Sequence, residues 1–177
     1  MEKMYILGIS LLLVAIFAVA AVPGLQMATQ DQGLQYHSSV CIYKNNDLVD
    51  CSSNLLYGDG KDLIKTVLGN TGSGGPVKNI TLCNATAGCG TPQDDHLEAY
   101  TEYASCGLTA GDGTYANISA GNWSISKVFT ATCDNLETNV TRLKNADGAI
   151  NFAGNSFTMV TLQTNDQINV TWTIWVT

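Results

Sequence analysis

Apolar residues run from Met4 to Val22 with only Gly8 and Ser10 between them, whereas apolar and polar positions alternate over much of the remaining chain. A spanning helix needs roughly 20 apolar residues and a signal-peptide core about 7–15, which puts Met4–Val22 at the long end. Pro23 and Gly24 then kink or end that helix. The stretch from Leu25 to Tyr36 is polar, either a stalk or an extended linker. Between Ser38 and Ser52 a hairpin is expected, turning at Asn45-Asn46-Asp47. Leu63, Ile64, Val67 and Leu68 fall at helical spacing ahead of Gly69, a good helix-terminating residue, so Lys61–Leu68 reads as a short amphipathic helix.

Further strands are expected at Val77–Cys83, Trp123–Cys133, Ala149–Phe152, Ser156–Gln163 and Gln167–Val176, all rich in β-formers. The last alternates most strictly, with Ile168, Val170, Trp172, Ile174 and Val176 on one face; Trp175 interrupts the polar face. Leu97–Ser105 reads equally as strand or helix. Short strands separated by turns imply a mainly β fold: an N-terminal apolar helix followed by an antiparallel β-sandwich with one short helix. The expected divisions are 1–25 for the apolar helix, 26–37 for a linker and 38–177 for the sandwich.

Composition narrows the function classes. Of 177 residues only 13% are charged and the formal net charge is −7. Nucleic acid is excluded as a partner, because phosphate binding needs a basic surface. The six cysteines, Cys41, Cys51, Cys83, Cys89, Cys106 and Cys133, read as disulfides of an exported domain. With Asn45-Asn46-Asp47 as the loop, Lys44 faces Leu48 and Cys41 faces Cys51 across the hairpin. Cys83 and Cys89 bracket a short loop, and Cys106–Cys133 follows by elimination. No CxxC pair occurs, and neither His37 nor His96 has ligand-like spacing, so no structural zinc is expected. The sequons at Asn79, Asn84, Asn117, Asn122, Asn139 and Asn169 form a modest excess over chance in an Asn- and Thr-rich chain, and agree with export.

Catalytic signals are sparse. His37 neighbours Ser38 and Ser39 but lacks an assigned orienting carboxylate. Asp94, Asp95, His96 and Glu98 cluster without calcium-loop spacing, and the Gly69–Pro76 loop lacks the lysine of a phosphate loop. Asp59, between two glycines, reads as a turn. Trp123, Trp172 and Trp175 suit packing better than sugar binding. No enzymatic activity and no cofactor is expected.

From Asn54-Leu-Leu through Gly60 and Leu68-Gly69, then Asn79-Ile-Thr-Leu82, Glu98, Gly107-Leu108, Trp123-Ser-Ile-Ser-Lys-Val-Phe-Thr-Ala131 and Phe157, Val160, Leu162, Asp166-Gln-Ile168 and Trp172-Thr-Ile174, the chain resembles small β-sandwich proteins encoded among phage and archaeal-virus structural genes. That resemblance implies a virion or appendage component. The layout of an apolar segment followed by a glycosylatable β-sandwich is also similar to archaeal type IV pilins and archaellins. It implies a helical homopolymer in which Leu7, Ile9, Leu11, Leu12, Val14, Ile16 and Phe17 pack between subunits, with the membrane as a station during assembly and the cell surface as destination. A membrane-anchored surface or virion protein binding a cell-surface or host partner, and a secreted domain polymerising by strand donation, are the alternatives. Ala18-Val19-Ala20 would serve as a cleavage site for the latter.

Overall fold

The computed structural model describes residues 35–68, 75–84, 102–148 and 150–177. These belong to the compact unit Leu34–Thr177. Ten strands and one helix follow in order: β1 (Tyr36–Lys44), β2 (Asp47–Ser53), β3 (Leu55–Leu56), α1 (Gly58–Leu68), β4 (Val77–Cys83), β5 (Gly111–Asp112), β6 (Thr114–Ser119), β7 (Asn122–Thr130), β8 (Leu136–Asn145), β9 (Asn151–Leu162) and β10 (Gln167–Val176). They form two five-stranded sheets, A in the order β2-β1-β10-β7-β6 and B in the order β3-β9-β8-β4-β5. All described pairings are antiparallel.

Sheet A is built around β10. Its side chains Ile168, Val170, Trp172 and Ile174 are at most 1% exposed, while Asn169, Thr171 and Thr173 between them are half-buried. That period of two is the signature of a strand with one face on a core. β10 pairs with β1 from Tyr36↔Val176 to Lys44↔Ile168, and with β7 from Gln167↔Thr130 to Trp175↔Asn122. The last strand is thus paired on both sides by strands of its own chain. Beyond the ladder, Gln35 and Thr177 exchange backbone hydrogen bonds of 2.8 and 3.0 Å.

The β1–β2 hairpin departs instructively from expectation. Its turn holds two residues, Asn45 and Asn46, both at positive φ (48° and 73°), and Lys44 faces Asp47 rather than Leu48. Such turns match the twist of the flanking strands, and Asn tolerates the left-handed conformation. Continued unbroken, that register would set Cys41 opposite Asp50. A bulge between Ile42 and Tyr43 leaves Val49 unpaired and moves the partner on by one, so Cys41 meets Cys51 after all. The two are disulfide-bonded.

In sheet B, Ile80 and Leu82 of β4, Leu143 of β8, and Phe152, Ala153, Phe157, Val160 and Leu162 of β9 face the same core as β10. Leu63 of α1 joins it, and Ile64 packs against it. Two expected strands, Ala149–Phe152 and Ser156–Gln163, are one continuous strand. β8 and β6 are strands that the alternation did not announce.

The expected fold class needs one correction. The described architecture is mainly β, two antiparallel sheets with one short helix; an apolar helix ahead of the sandwich forms no part of it. Among the described residues no helix is long and apolar enough to cross a membrane. The physical reason is length: α1 has 11 residues, against the roughly 20 that a bilayer requires. The stretch Met4–Val22 and the expected assembly residues Leu7, Ile9, Leu11, Leu12, Val14, Ile16 and Phe17 lie outside the described residues.

Because Trp172 is fully buried at the centre of the core, Trp172→Ala is expected to lower unfolding free energy by about 3–5 kcal/mol in urea titrations. Val128→Ala, at a position 52% exposed, should stay within about 0.5 kcal/mol of wild type.

Candidate interaction surface

The sandwich is sealed along one side by side chains instead of a ladder. β9 pairs with β3 only at Ala153 and Gly154, which leaves residues 155–162 without a strand on that flank. Residues of β1 and β2 fill the gap. Asn155 Nδ2 donates to the Ser53 carbonyl (2.9 Å) and to Ser52 Oγ (3.1 Å). Asp50 Oδ2 accepts from the Thr158 amide at 2.9 Å, and Lys44 Nζ donates to the Thr161 carbonyl at 2.8 Å. Backbone groups that a strand would have paired are thereby satisfied.

Asp166 ties the two hairpins at the end of that seam. It accepts from Asn45 Nδ2 (2.8 Å) and the Gln163 amide (2.9 Å) and pairs with Lys44 at 3.0 Å. These donors hold its carboxyl at about 2, below the usual range, with the Asn45 hydrogen bond the largest cause.

The opposite side closes by covalent continuity. β5 lies on the edge of sheet B and β6 on the edge of sheet A, and the chain crosses between them at Gly113. The Gly113 amide donates to the Lys78 carbonyl at 2.7 Å. A Cβ at residue 113 would come within 2.7 Å of Ile125 Cγ2 and 2.9 Å of the Ser126 carbonyl, so only glycine lets the strands approach. Lys78 and Asp112 form an ion pair of 2.6 Å beside it.

The outer faces of the sheets differ. On sheet B, Arg142 is fully buried outside the main core. Its Nε donates to the Tyr57 hydroxyl at 3.2 Å and its Nη1 lies 3.4 Å from Cys83 Sγ. Residues 102–103 meet β4 and β8 of the same sheet: the Tyr103 amide donates to the Leu82 carbonyl, its hydroxyl to the Glu137 carbonyl at 2.6 Å, its ring packs against the main core, and Glu102 pairs with Lys144 at 2.9 Å. Burial raises the Tyr103 hydroxyl pKa, and the Glu137 charge adds to the shift. Sheet A instead presents hydroxyls and amides, with His37 stacked on Trp175 at 5.6 Å.

β6 is the most exposed strand. All its residues are exposed, Tyr115 at 62% and Ile118 at 54%. It carries no charge and no proline. This edge and the outer face of sheet A beside it make up the candidate surface.

Other expected site residues are dispersed. Cys106–Cys133 is disulfide-bonded, and so is Cys83; its expected partner Cys89 lies outside the described residues. Ser38 faces the core while its strand neighbour His37 faces outward, so they build no nucleophile–base pair. Asp59 lies in the first turn of α1 rather than in a loop. Trp172 is core, Trp123 packs against it, and Trp175 meets His37. Asp94, Asp95, His96 and Glu98 lie outside the described residues. Among the described residues no His, Cys, Asp or Glu group is disposed to hold a metal. The sequon asparagines range from exposed (Asn117) through half-buried (Asn79, Asn122, Asn139, Asn169) to buried (Asn84).

Arg142 and the seam residues Asn155 and Asp50 escaped the sequence reading. The signal was a lone arginine in the β-permissive run Leu136–Asn145, which a half-exposed strand would equally explain. No known protein family, curated protein or solved structure matches the chain.

Asp166 has a depressed folded pKa, so its contribution is present above the unfolded value of about 3.9 and is lost as pH falls through about 2. Asp166→Asn should therefore lower the melting temperature at pH 7, with the gap to wild type closing between about pH 4 and 2. In a glycosylating secretory host, peptide mapping should find Asn117 occupied and Asn84 empty, because the transferase needs an accessible asparagine.

Proposed function

We propose that this chain is a non-enzymatic structural subunit of an extracellular, pilin-like filament. The disulfide-tied β-domain faces outward, and the apolar sequence Met4–Val22 supplies the part buried between subunits. The observation carrying this reading is the self-sufficiency of the domain. Its C-terminal strand is held on both sides by strands of the same chain, and sheet B ends in strands of only two residues. Short edges limit unregulated pairing.

The disulfides Cys41–Cys51 and Cys106–Cys133 are consistent with an oxidising environment. Hydroxyl- and amide-rich strands with sequons suit a surface facing water and sugar. Polymerisation by donation of β10 gains no support, because that strand already lies between β1 and β7.

Shearing the producing cells and analysing the pelleted appendages by mass spectrometry should recover peptides of residues 35–177 from polymers. Recovery solely from detergent-solubilised membranes would replace the filament with an anchored surface protein.

A further inference from the structure

We propose that the outer face of sheet A is clad by the chain's own N-linked sugars, the one on Asn122 stacked on Trp175 and the one on Asn169 packed on Tyr43. The proposal stands apart from the filament reading and needs only passage through a glycosylating compartment. It begins with the cross-strand rows of that face. One row runs His37, Trp175, Asn122 over β1, β10 and β7. Another runs Leu48, Tyr43, Asn169, Val128 over β2, β1, β10 and β7. The two rows between them, through Thr173 and Thr171, hold serines, threonines, Ala116 and the Cys41–Cys51 disulfide. The large apolar and aromatic residues of an otherwise hydroxyl-bearing face therefore stand beside the two asparagines that begin Asn122-Trp-Ser124 and Asn169-Val-Thr171.

Directly opposed side chains in an antiparallel pair have Cβ atoms roughly 4.5–5.5 Å apart, so each aromatic ring stands within reach of a sugar on its neighbouring asparagine. Both asparagines are half-buried, with Oδ1 buried and without a hydrogen-bond partner. That leaves Nδ2, the atom that takes the sugar, as the outward end of each amide. His37 stacks on Trp175 with 5.6 Å between centroids and 13° between planes, and Thr177 Oγ1 lies 3.3 Å from its Nε2. The imidazole covers one face of the indole from the β1 side. The other face is turned to β7, where Asn122 stands.

The occupant follows from attachment and chemistry. A sugar linked at Asn122 or Asn169 is tethered to the face it covers, so it reaches the ring without the association cost of a free ligand. The C–H side of a pyranose is apolar and weakly positive, and it meets the negative face of an aromatic ring. Neither row carries Asp, Glu, Lys or Arg, which suits a neutral saccharide. Beside Asn169, Val128 at 52% exposure and Leu48 at 60% leave apolar surface in water that the sugar can cover. Asn117 and Asn79 lack this setting: Trp123 opposite Asn117 packs against the core, and Asn79 stands opposite Asp112.

The full chain, secreted from a glycosylating host and kept in detergent, is compared with the same chain made without glycans in a disulfide-forming bacterial host. Peptide mapping should find Asn122 and Asn169 occupied. Ser124→Ala and Thr171→Ala remove the two sequons while keeping the asparagines. In the glycosylated chain each should lower the melting temperature by about 2–4 °C. The loss should fall below about 1 °C where Trp175→Ala or Tyr43→Ala, respectively, is already present. In the unglycosylated chain the same substitutions give the cost of the lost hydroxyl, which is subtracted. Sugar protons at Asn122 should be shifted upfield by the indole ring current and return to ordinary positions with Trp175→Ala. An empty Asn122 or Asn169, a sugar whose removal costs the same with and without its aromatic, or unshifted sugar protons would overturn the proposal.

Discussion

The placement of β10 between β1 and β7 is the constraint on which the rest of the structure depends. The first and last described strands are adjacent, so sheet A cannot form until the chain is nearly complete. Loop closure of that span must precede the reward of pairing, which gives a topology rich in non-local contacts. The reward is Ile168, Val170, Trp172 and Ile174, which meet side chains of both sheets in one core. The Gln35–Thr177 hydrogen bonds then extend the β1–β10 pairing past the ends of both strands.

Once β10 is in place, the two flanks of the sandwich close by different chemistry. One flank uses polar side chains, Asn155, Asp50 and Lys44, as substitutes for a strand. The other uses a backbone crossing that only Gly113 permits. The outer faces diverge as well. Sheet B carries a second buried layer around Arg142, where a guanidinium is acceptable only with partners such as the Tyr57 hydroxyl. Sheet A keeps its outer face and its β6 edge in solvent. This asymmetry gives the domain one sheet whose outer face is largely covered by side chains of its own chain and one that presents hydroxyls and amides.

How much of this was legible in the sequence depended on whether a strand has one buried face. β10 does and was read with its observed bounds; β4 was too, from the sequence alternation of Ile80, Thr81 and Leu82, although its last four residues are all buried. β8 is buried on both faces, with Arg142, Thr141 and Asn145 inside, so its polar residues masked it. β6 is buried on neither face and had no pattern to read. The Cys41–Cys51 pairing was reached through a three-residue loop, whereas the chain uses a two-residue turn and a bulge. The bulge compensates the turn, so the right partner emerged from the wrong register. The seam residues Asn155 and Asp50 are single polar side chains whose partners lie about a hundred positions away, beyond any local pattern.

The central claim is that β10 is held by its own chain. Hydrogen exchange of the full chain at residues 168–176 tests it most directly. Exchange of these amides only through global unfolding, alongside the core of β8, is the predicted result. Exchange at the rate of a fraying terminus, well ahead of global unfolding, would contradict it.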